Sequence, residues 1–194
     1  MATYDTKEIK VWDLWVRVGH WSLVTSFVIC YFTQEDEYEL HLQVGYFLLT
    51  LIVIRFLWGF IGTRHARFSD FVRSPPAVIR YLKLFIKKRS PAYVGHNPAG
   101  GMMIVLLLLG NLVIALSGIA LDGAENRSGP LGGTTIFMYT SYANTVHVWA
   151  TNITLGFITL HLLGIITTSL MHRENLVRAM ITGKKRVKTD ETCL

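Results

Sequence analysis

The sequence predicts an all-α membrane protein, a bundle of four transmembrane helices with an amphipathic helix between the second and third. The 194 residues are 51% hydrophobic and only 16% charged, with a mean hydropathy of +0.37, whereas a soluble domain carries about 25% charged residues. Uncharged runs, each close to or above the roughly 20 residues that span a bilayer core, cover residues 18–34, 40–54, 99–121 and 128–171.

These runs define four predicted spans at residues 14–33, 40–62, 101–121 and 142–172. We interpret residues 1–186 as one membrane domain and residues 187–194 as a flexible tail. Residues 129–139, just before the fourth span, are expected to form an exterior loop that skirts the membrane.

The loop between the second and third spans contains a predicted helix of its own. Pro75 and Pro76 interrupt the chain, and beyond them apolar and basic residues alternate at helical spacing. This pattern is typical of a helix lying on a membrane surface. Its apolar members are Val78, Ile79, Leu82, Phe85 and Ile86, opposite Arg80, Lys83 and Lys87.

The chain has a net charge of +6, and the positions of its basic residues along the chain predict the membrane topology. Eight Lys and Arg residues lie in residues 63–98, six follow Met171, and three precede or include Arg17. By the positive-inside rule, both termini and the middle loop are cytoplasmic in a bacterial inner membrane. The basic excess therefore does not indicate nucleic-acid binding. The first exterior loop is acidic, with Glu35, Asp36, Glu37 and Glu39.

Histidines inside apolar spans are the candidate functional residues, because an ionisable side chain is costly in lipid and marks a site by default. His147 and His161 are fourteen residues apart, which places them on one helix face, about 21 Å apart along the axis. The predicted directions of the spans put His20 level with His161, and His41 level with His147. The bundle thus contains two pairs of imidazoles at two depths.

Two imidazoles at one level, without a nearby carboxylate or cysteine, do not make a zinc site. Imidazole suits iron, and two axial imidazoles complete the coordination of a haem. Cys30 and Cys193 are the only cysteines and neither belongs to a C-x-x-C-H motif, which excludes covalent attachment. We therefore expect two non-covalent b haems, which would form an electron path across the membrane.

Small and basic residues near the histidines fit this interpretation. Gly19, Gly45 and Gly164 lie beside or one turn from a histidine and either give a porphyrin room or let helices pack closely. Arg55 is on the face of His41 at the cytoplasmic level, where it pairs with a haem propionate or reaches the headgroups. Arg17, one turn before His20, is a second candidate for a propionate.

His96 is a candidate hydrogen-bond donor at the start of the third span. It precedes Asn97 and Pro98 on the predicted cytoplasmic side. From there its ring could contact a haem propionate or a quinone carbonyl. We assign it to the cofactor-binding residues on this basis.

Five stretches of the chain resemble one known superfamily, the bacterial cytochrome b561-type proteins and the b-type cytochrome subunits of Ni,Fe-hydrogenase and formate dehydrogenase. The resemblance covers about residues 10–186. The stretches are Val-Trp-Asp-Leu-Trp-Val-Arg-Val-Gly-His-Trp, Leu-His-Leu-Gln-Val-Gly-Tyr, Arg-Phe-Leu-Trp-Gly-Phe-Ile-Gly, Gly-His-Asn-Pro-Ala-Gly-Gly and His-Arg-Glu-Asn-Leu-Val-Arg-Ala-Met-Ile-Thr-Gly.

The resemblance implies four helices with two b haems, one held by His20 and His161 and the other by His41 and His147. It also implies electron exchange between membrane quinone and a periplasmic protein, such as a c-type cytochrome, a hydrogenase or another dehydrogenase. The chain lacks a fused redox domain, so that partner would be a separate polypeptide. A homodimer is left open, as is whether the chain is an enzyme beyond its role as an electron-transfer subunit.

Two other functions compete with this one. The first is a stand-alone superoxide:quinone oxidoreductase, because some relatives of similar architecture oxidise superoxide at the outer surface and reduce quinone. A basic exterior surface would attract that anion, whereas the predicted exterior loop is acidic. A haemless transporter with a histidine proton relay would need a substrate cavity, which the sequence does not indicate. The leading hypothesis is a dihaem b cytochrome.

Overall fold

The computed structural model describes residues 6–34 and 37–188, which are mainly helical. The described α-helices are α1 (Leu14–Phe32), α2 (Tyr38–Ile61), α3 (Phe68–Phe71), α4 (Pro75–Ile86), α5 (Pro98–Glu125), α6 (Thr140–His172) and α7 (Leu176–Thr182). Short 3-10 helices occupy Arg64–Ala66, Gly129–Leu131 and Thr135–Tyr139, and two strands are β1 (Thr6–Lys10) and β2 (Lys184–Lys188).

Three helices in the described part of the chain are long and apolar enough to cross a membrane: Tyr38–Ile61, Pro98–Glu125 and Thr135–His172, the last including the 3-10 turns before α6. α1 coincides with the first predicted span but is not among these three. Its apolar character is diluted by Arg17, His20 and several hydroxyl side chains. A fourth span therefore stays a prediction.

α5 is longer at both ends than the predicted third span of residues 101–121. At its start, the Asn97 side chain accepts a hydrogen bond of 2.7 Å from the Gly100 N–H, as an N-cap does. At its end, Asp122 does not stop the helix, because its carboxylate is buried and accepts hydrogen bonds from Tyr38 and from Ser128 at 2.5 Å. The expected loop of residues 129–139 contains two 3-10 helices.

A two-stranded antiparallel sheet joins the two ends of the chain, with Glu8 opposite Arg186. The sequence analysis did not predict it. Residues 187 and 188, assigned to the flexible tail, belong to β2, and residues 189–194 lie outside the described residues. Gly183, with φ of +78°, closes α7 and leads into β2. A Cβ there would meet the Trp12 carbonyl oxygen at 2.6 Å.

The chain divides into two compact units. The first unit comprises Met1–His20, Phe56–Met103 and Leu160–Leu194, and the second comprises Trp21–Arg55 and Ile104–Thr159. The core of the first unit is a cluster of Val11, Trp12, Val16, Ala66 and Ala179. In the second unit the most deeply buried side chains are Ile52 and Thr154. His20 and His161 belong to the first unit, and His41 and His147 to the second.

Candidate functional site

The second unit brings His41 of α2 and His147 of α6 together. Their ring centroids are 6.3 Å apart, and the ring planes make an angle of 67°. A ligating imidazole nitrogen lies about 2 Å from its metal, so two imidazoles on opposite sides of one metal have ring centres roughly 6 Å apart. The observed separation suits a shared iron atom.

Both of these rings are oriented by backbone carbonyl oxygens. His41 Nδ1 lies 2.9 Å from the Cys30 carbonyl oxygen, and His147 Nδ1 lies 3.0 Å from the Ile114 carbonyl oxygen. A carbonyl can only accept, so each Nδ1 carries the hydrogen and the neutral ring keeps its lone pair on Nε2. This is the tautomer that binds a metal through Nε2, with the other nitrogen held by a second group.

α5 carries no predicted ligand, but its residues contact the His147 ring and hold it in place. The Ser117 hydroxyl donates to the Val113 carbonyl oxygen at 2.7 Å and lies 3.2 Å from His147 Nδ1. Beside it, a Cβ on Gly118 would lie 3.2 Å from the Cε1 atom of the same ring. Ser117 and Gly118 were not predicted as site residues, because nothing in the sequence pattern of α5 distinguishes them from ordinary helix-packing residues.

His20 of α1 and His161 of α6, the second predicted pair, both belong to the first unit. Both side chains are half-buried. Arg17 lies one turn before His20, and its buried Nε has no hydrogen-bond partner among the described residues. A half-buried arginine with a buried Nε–H in that position suits an anionic group such as a carboxylate.

The glycines beside the histidines face open space. A Cβ built on Gly19, Gly45 or Gly164 would meet no atom of the described residues within 4 Å. By contrast, a Cβ on Gly110 would meet the Thr154 hydroxyl oxygen at 2.5 Å, as expected of a glycine that lets two helices pack. The geometry therefore argues against close helix packing as the role of the first three glycines and leaves room for a porphyrin beside them.

Arg55 and His96 belong to different compact units of the chain. Arg55 is half-buried in α2 and belongs to the second unit, whereas the His20 and His161 pair belongs to the first. The His96 ring contacts Trp12, with centroids 4.3 Å apart, and Phe71, with centroids 5.0 Å apart. The predicted contacts of Arg55 and His96 with cofactors stay predictions.

The start of α1, which leads to Arg17 and His20, is anchored by Asp13. Its carboxylate accepts hydrogen bonds from the Val16 N–H at 2.8 Å, the Trp58 indole at 3.1 Å and the Thr63 hydroxyl at 2.6 Å. Burial raises the pKa of Asp13, but these donors outweigh it and hold the pKa below its ordinary value of 3.8. The ionised carboxylate thus caps α1 and ties it to the end of α2.

The donor set supports haem over a metal ion alone. Among residues 6–34 and 37–188, no group of three or more His, Cys, Asp or Glu side chains is placed to hold a metal ion. The second unit instead presents two facing imidazoles, His41 and His147, a donor set that would suit a haem iron. The open space at the neighbouring glycines fits the bulk of a porphyrin.

Comparison with known proteins gives the same result. The family model of prokaryotic cytochrome b561 matches residues 11–183. Curated relatives are the probable Ni/Fe-hydrogenase B-type cytochrome subunits of Rhizobium leguminosarum bv. viciae, 24% identical over 96% of this chain and 92% of the relative, of Rhodobacter capsulatus, 25% identical over 94% and 83%, and of Cupriavidus necator, 26% identical over 96% and 92%. No solved structure matches the chain. Because the family model extends from before α1 to the end of α7, the chain belongs to the prokaryotic cytochrome b561 family, as a membrane protein that binds haem b and transports electrons.

Proposed function

We propose that the chain binds two b haems and carries electrons across a bacterial inner membrane, between a periplasmic redox protein and membrane quinone. His41 and His147 hold the outer haem, and His20 and His161 hold the inner one. When bound, each haem iron accepts and releases one electron. The observation that carries this proposal is the 6.3 Å separation of the His41 and His147 rings, with both Nδ1 atoms directed at carbonyl oxygens.

A four-span bundle follows from the placement of these ligands. His20 lies in α1, which has 19 residues and is therefore about 28 Å long, close to the roughly 30 Å thickness of the hydrocarbon core. In this proposal α1 is the first of four spans, and its polar residues Arg17 and His20 would hold the inner haem. The exposed apolar side chains of α4 support its placement at the membrane interface. With four spans, both termini lie on the same side of the membrane, and the positive-inside rule makes that side the cytoplasmic one.

A hydrogenase is the proposed periplasmic partner. The curated relatives are named as B-type cytochrome subunits of Ni/Fe-hydrogenases. At the proposed outer end, Glu37 and Glu39 are exposed before and within the first turn of α2, whereas Glu35 and Asp36 lie outside the described residues. An acidic surface favours a partner with a basic rim and disfavours superoxide as a substrate.

Quinone exchanges electrons with the inner haem in this proposal. His96 is a candidate donor to a quinone carbonyl or a haem propionate, because an imidazole N–H can donate to either group. Its position against Trp12 and Phe71 holds the ring between two aromatic side chains. Arg17 is the candidate partner of an inner-haem propionate.

Haem content per chain tests the assignment. The wild type should contain two haems by pyridine haemochrome assay, and His147→Ala and His161→Ala should each contain one. His65→Ala is the matched control, because His65 pairs with Asp70 at 3.0 Å and should leave both haems in place. One haem or none in folded wild-type protein, or two haems in His147→Ala, would contradict the proposal.

A further inference from the structure

α4 presents three different faces along its length. Val78 and Tyr81 are buried, with 9% and 4% of their surface exposed. Three aliphatic side chains fall within about 60° of one another at about 100° per residue and are exposed: Ile79 at 53%, Leu82 at 43% and Ile86 at 79%. A third face, centred about 100° further round the helix, consists of the exposed cations Arg80, Lys83 and Lys87.

The buried face fixes the rotation of the helix. Tyr81 packs against Tyr93, beyond the end of α4, with ring centroids 5.8 Å apart, and its other ring neighbour is Phe85 of the same helix, at 6.1 Å. The helix begins after Ser74 with two prolines in its first turn. The fixed φ angle of proline favours the start of a helix at this position. The aliphatic arc is therefore held outward by packing within the first unit and is available to a partner.

We propose that this surface of α4 binds anionic phospholipid. Ile79, Leu82 and Ile86 insert at the boundary between headgroups and acyl chains, as in interfacial helices. The neighbouring cations then reach lipid phosphate groups, while their aliphatic stems cover apolar surface. This inference rests on the interfacial placement of α4 proposed above and adds the chemistry of the lipid that it recognises.

Charge complementarity distinguishes a lipid surface from other partners. α4 contains no acidic residue, so every charged group that the helix itself places beside its aliphatic arc attracts an anion. Clusters of Lys and Arg next to an apolar helix face are typical of binding to anionic headgroups, and each cation adds to the attraction. A neutral lipid would satisfy the aliphatic arc but not the cations.

Lipid retention by the purified full-length chain tests the selectivity. The triple variant R80Q/K83Q/K87Q should retain less phosphatidylglycerol than the wild type in native mass spectrometry, by roughly fivefold or more. Retention of phosphatidylcholine should not change. The matched control is R67Q/R173Q/R178Q, which removes three exposed cations outside α4. Equal loss in the two triple variants, or no loss in either, would overturn the inference.

A depth measurement separates this inference from the placement of α4. A bimane label on Leu82→Cys, in a Cys30→Ala, Cys193→Ser background in nanodiscs, should be quenched by bromo-lipids more strongly than the same label on Arg80→Cys. Quenching at residue 82 without a preference for phosphatidylglycerol would reject anionic recognition and leave the placement standing. Absence of quenching at residue 82 would reject both, whereas haem content would still report on the proposed function.

Discussion

The Ser117 hydroxyl lies 3.2 Å from Nδ1 of His147. Ser117 belongs to α5, which supplies no proposed haem ligand, whereas His147 belongs to α6. Ser117 is 8% exposed, so water does not compete strongly for this contact. The Ile114 carbonyl oxygen lies 3.0 Å from the same Nδ1 atom. α5 thereby sets both the tautomer and the orientation of a ring that belongs to its neighbour.

Ser117→Ala should raise the midpoint potential of the outer haem. Acceptors at Nδ1 make an imidazole a better electron donor to its metal and so stabilise ferric iron. Loss of a hydrogen bond contributing about 0.5–1.5 kcal/mol corresponds to a shift of roughly 20–60 mV. Redox titration of the two haems measures this shift.

The control for Ser117→Ala is Thr159→Ala, because the Thr159 hydroxyl bonds only its own helix, at the Leu155 carbonyl oxygen. Both variants should retain two haems. A change of equal size in the two variants, or no change at Ser117→Ala, would show that the Ser117 hydroxyl does not influence the ligand.

Gly45→Leu should remove the outer haem without unfolding the protein. A Cβ at Gly45 would meet no described atom within 4 Å, so we expect the polypeptide to tolerate a larger side chain. That side chain would occupy the space beside His41 that we assign to a porphyrin. Haem content should fall from two to one, with helical content unchanged by circular dichroism. Gly133→Leu is the control, since Gly133 also faces open space but lies in the segment before α6. Two haems retained in Gly45→Leu would count against the assigned haem position.

Gly110→Ala should destabilise the second unit. Its Cβ would approach the Thr154 hydroxyl oxygen to 2.5 Å, and Thr154 is fully buried, so the contact cannot relax into solvent. Overpacking of this kind costs roughly 1–3 kcal/mol. Unfolding in mixed micelles measures the change in free energy.

A second substitution should rescue Gly110→Ala if the clash is the cause. Thr154→Ala removes the hydroxyl, so the double variant should be more stable than the sum of the two single changes predicts. Strict additivity would mean that Gly110 and Thr154 do not interact as the structure indicates.

Asp13 should make the first unit sensitive to acid. The pKa of Asp13 is below its ordinary value in the folded protein, so its contribution to stability is complete above about pH 4 and is lost as pH falls through the folded pKa. Asp13→Asn should lower the free energy of unfolding by about 1 kcal/mol at neutral pH, from the weakened helix cap.

The pH dependence distinguishes the charge of Asp13 from its shape. Thermal unfolding between pH 7 and pH 3 should show a smaller loss of stability in Asp13→Asn than in the wild type. Asp70→Asn is a comparison at another acidic residue of the first unit, where the carboxylate pairs with His65. Parallel pH profiles for the wild type and Asp13→Asn would contradict the role of the ionised carboxylate.

The amino-acid sequence alone predicted the helices that carry the candidate ligands, the helix at Pro75 and the family, which the comparisons confirm. Hydropathy and helical spacing are local properties, readable from residues near one another in the chain, and they also matched His41 with His147 by depth. The ligand roles of these histidines stay predictions. Where a helix ends also depends on contacts between residues distant in the chain. α5 continues past Leu121, where Tyr38 and Ser128 donate hydrogen bonds to one carboxylate oxygen of Asp122.

Tertiary structure decided the contacts between residues that are distant in sequence. β1 and β2 are separated by nearly the whole chain and are rich in charged residues. Neither segment shows the apolar pattern that predicts a strand, so their pairing was not predicted from the sequence. Ser117 and the Ile114 carbonyl oxygen reach His147 only because α5 packs beside α6 in the second unit. Likewise, Val78 is turned inward and Ile79 outward, although both belong to the predicted apolar face of α4. Periodicity assigns a residue to a face of its helix, but the neighbour that covers that face is determined by packing.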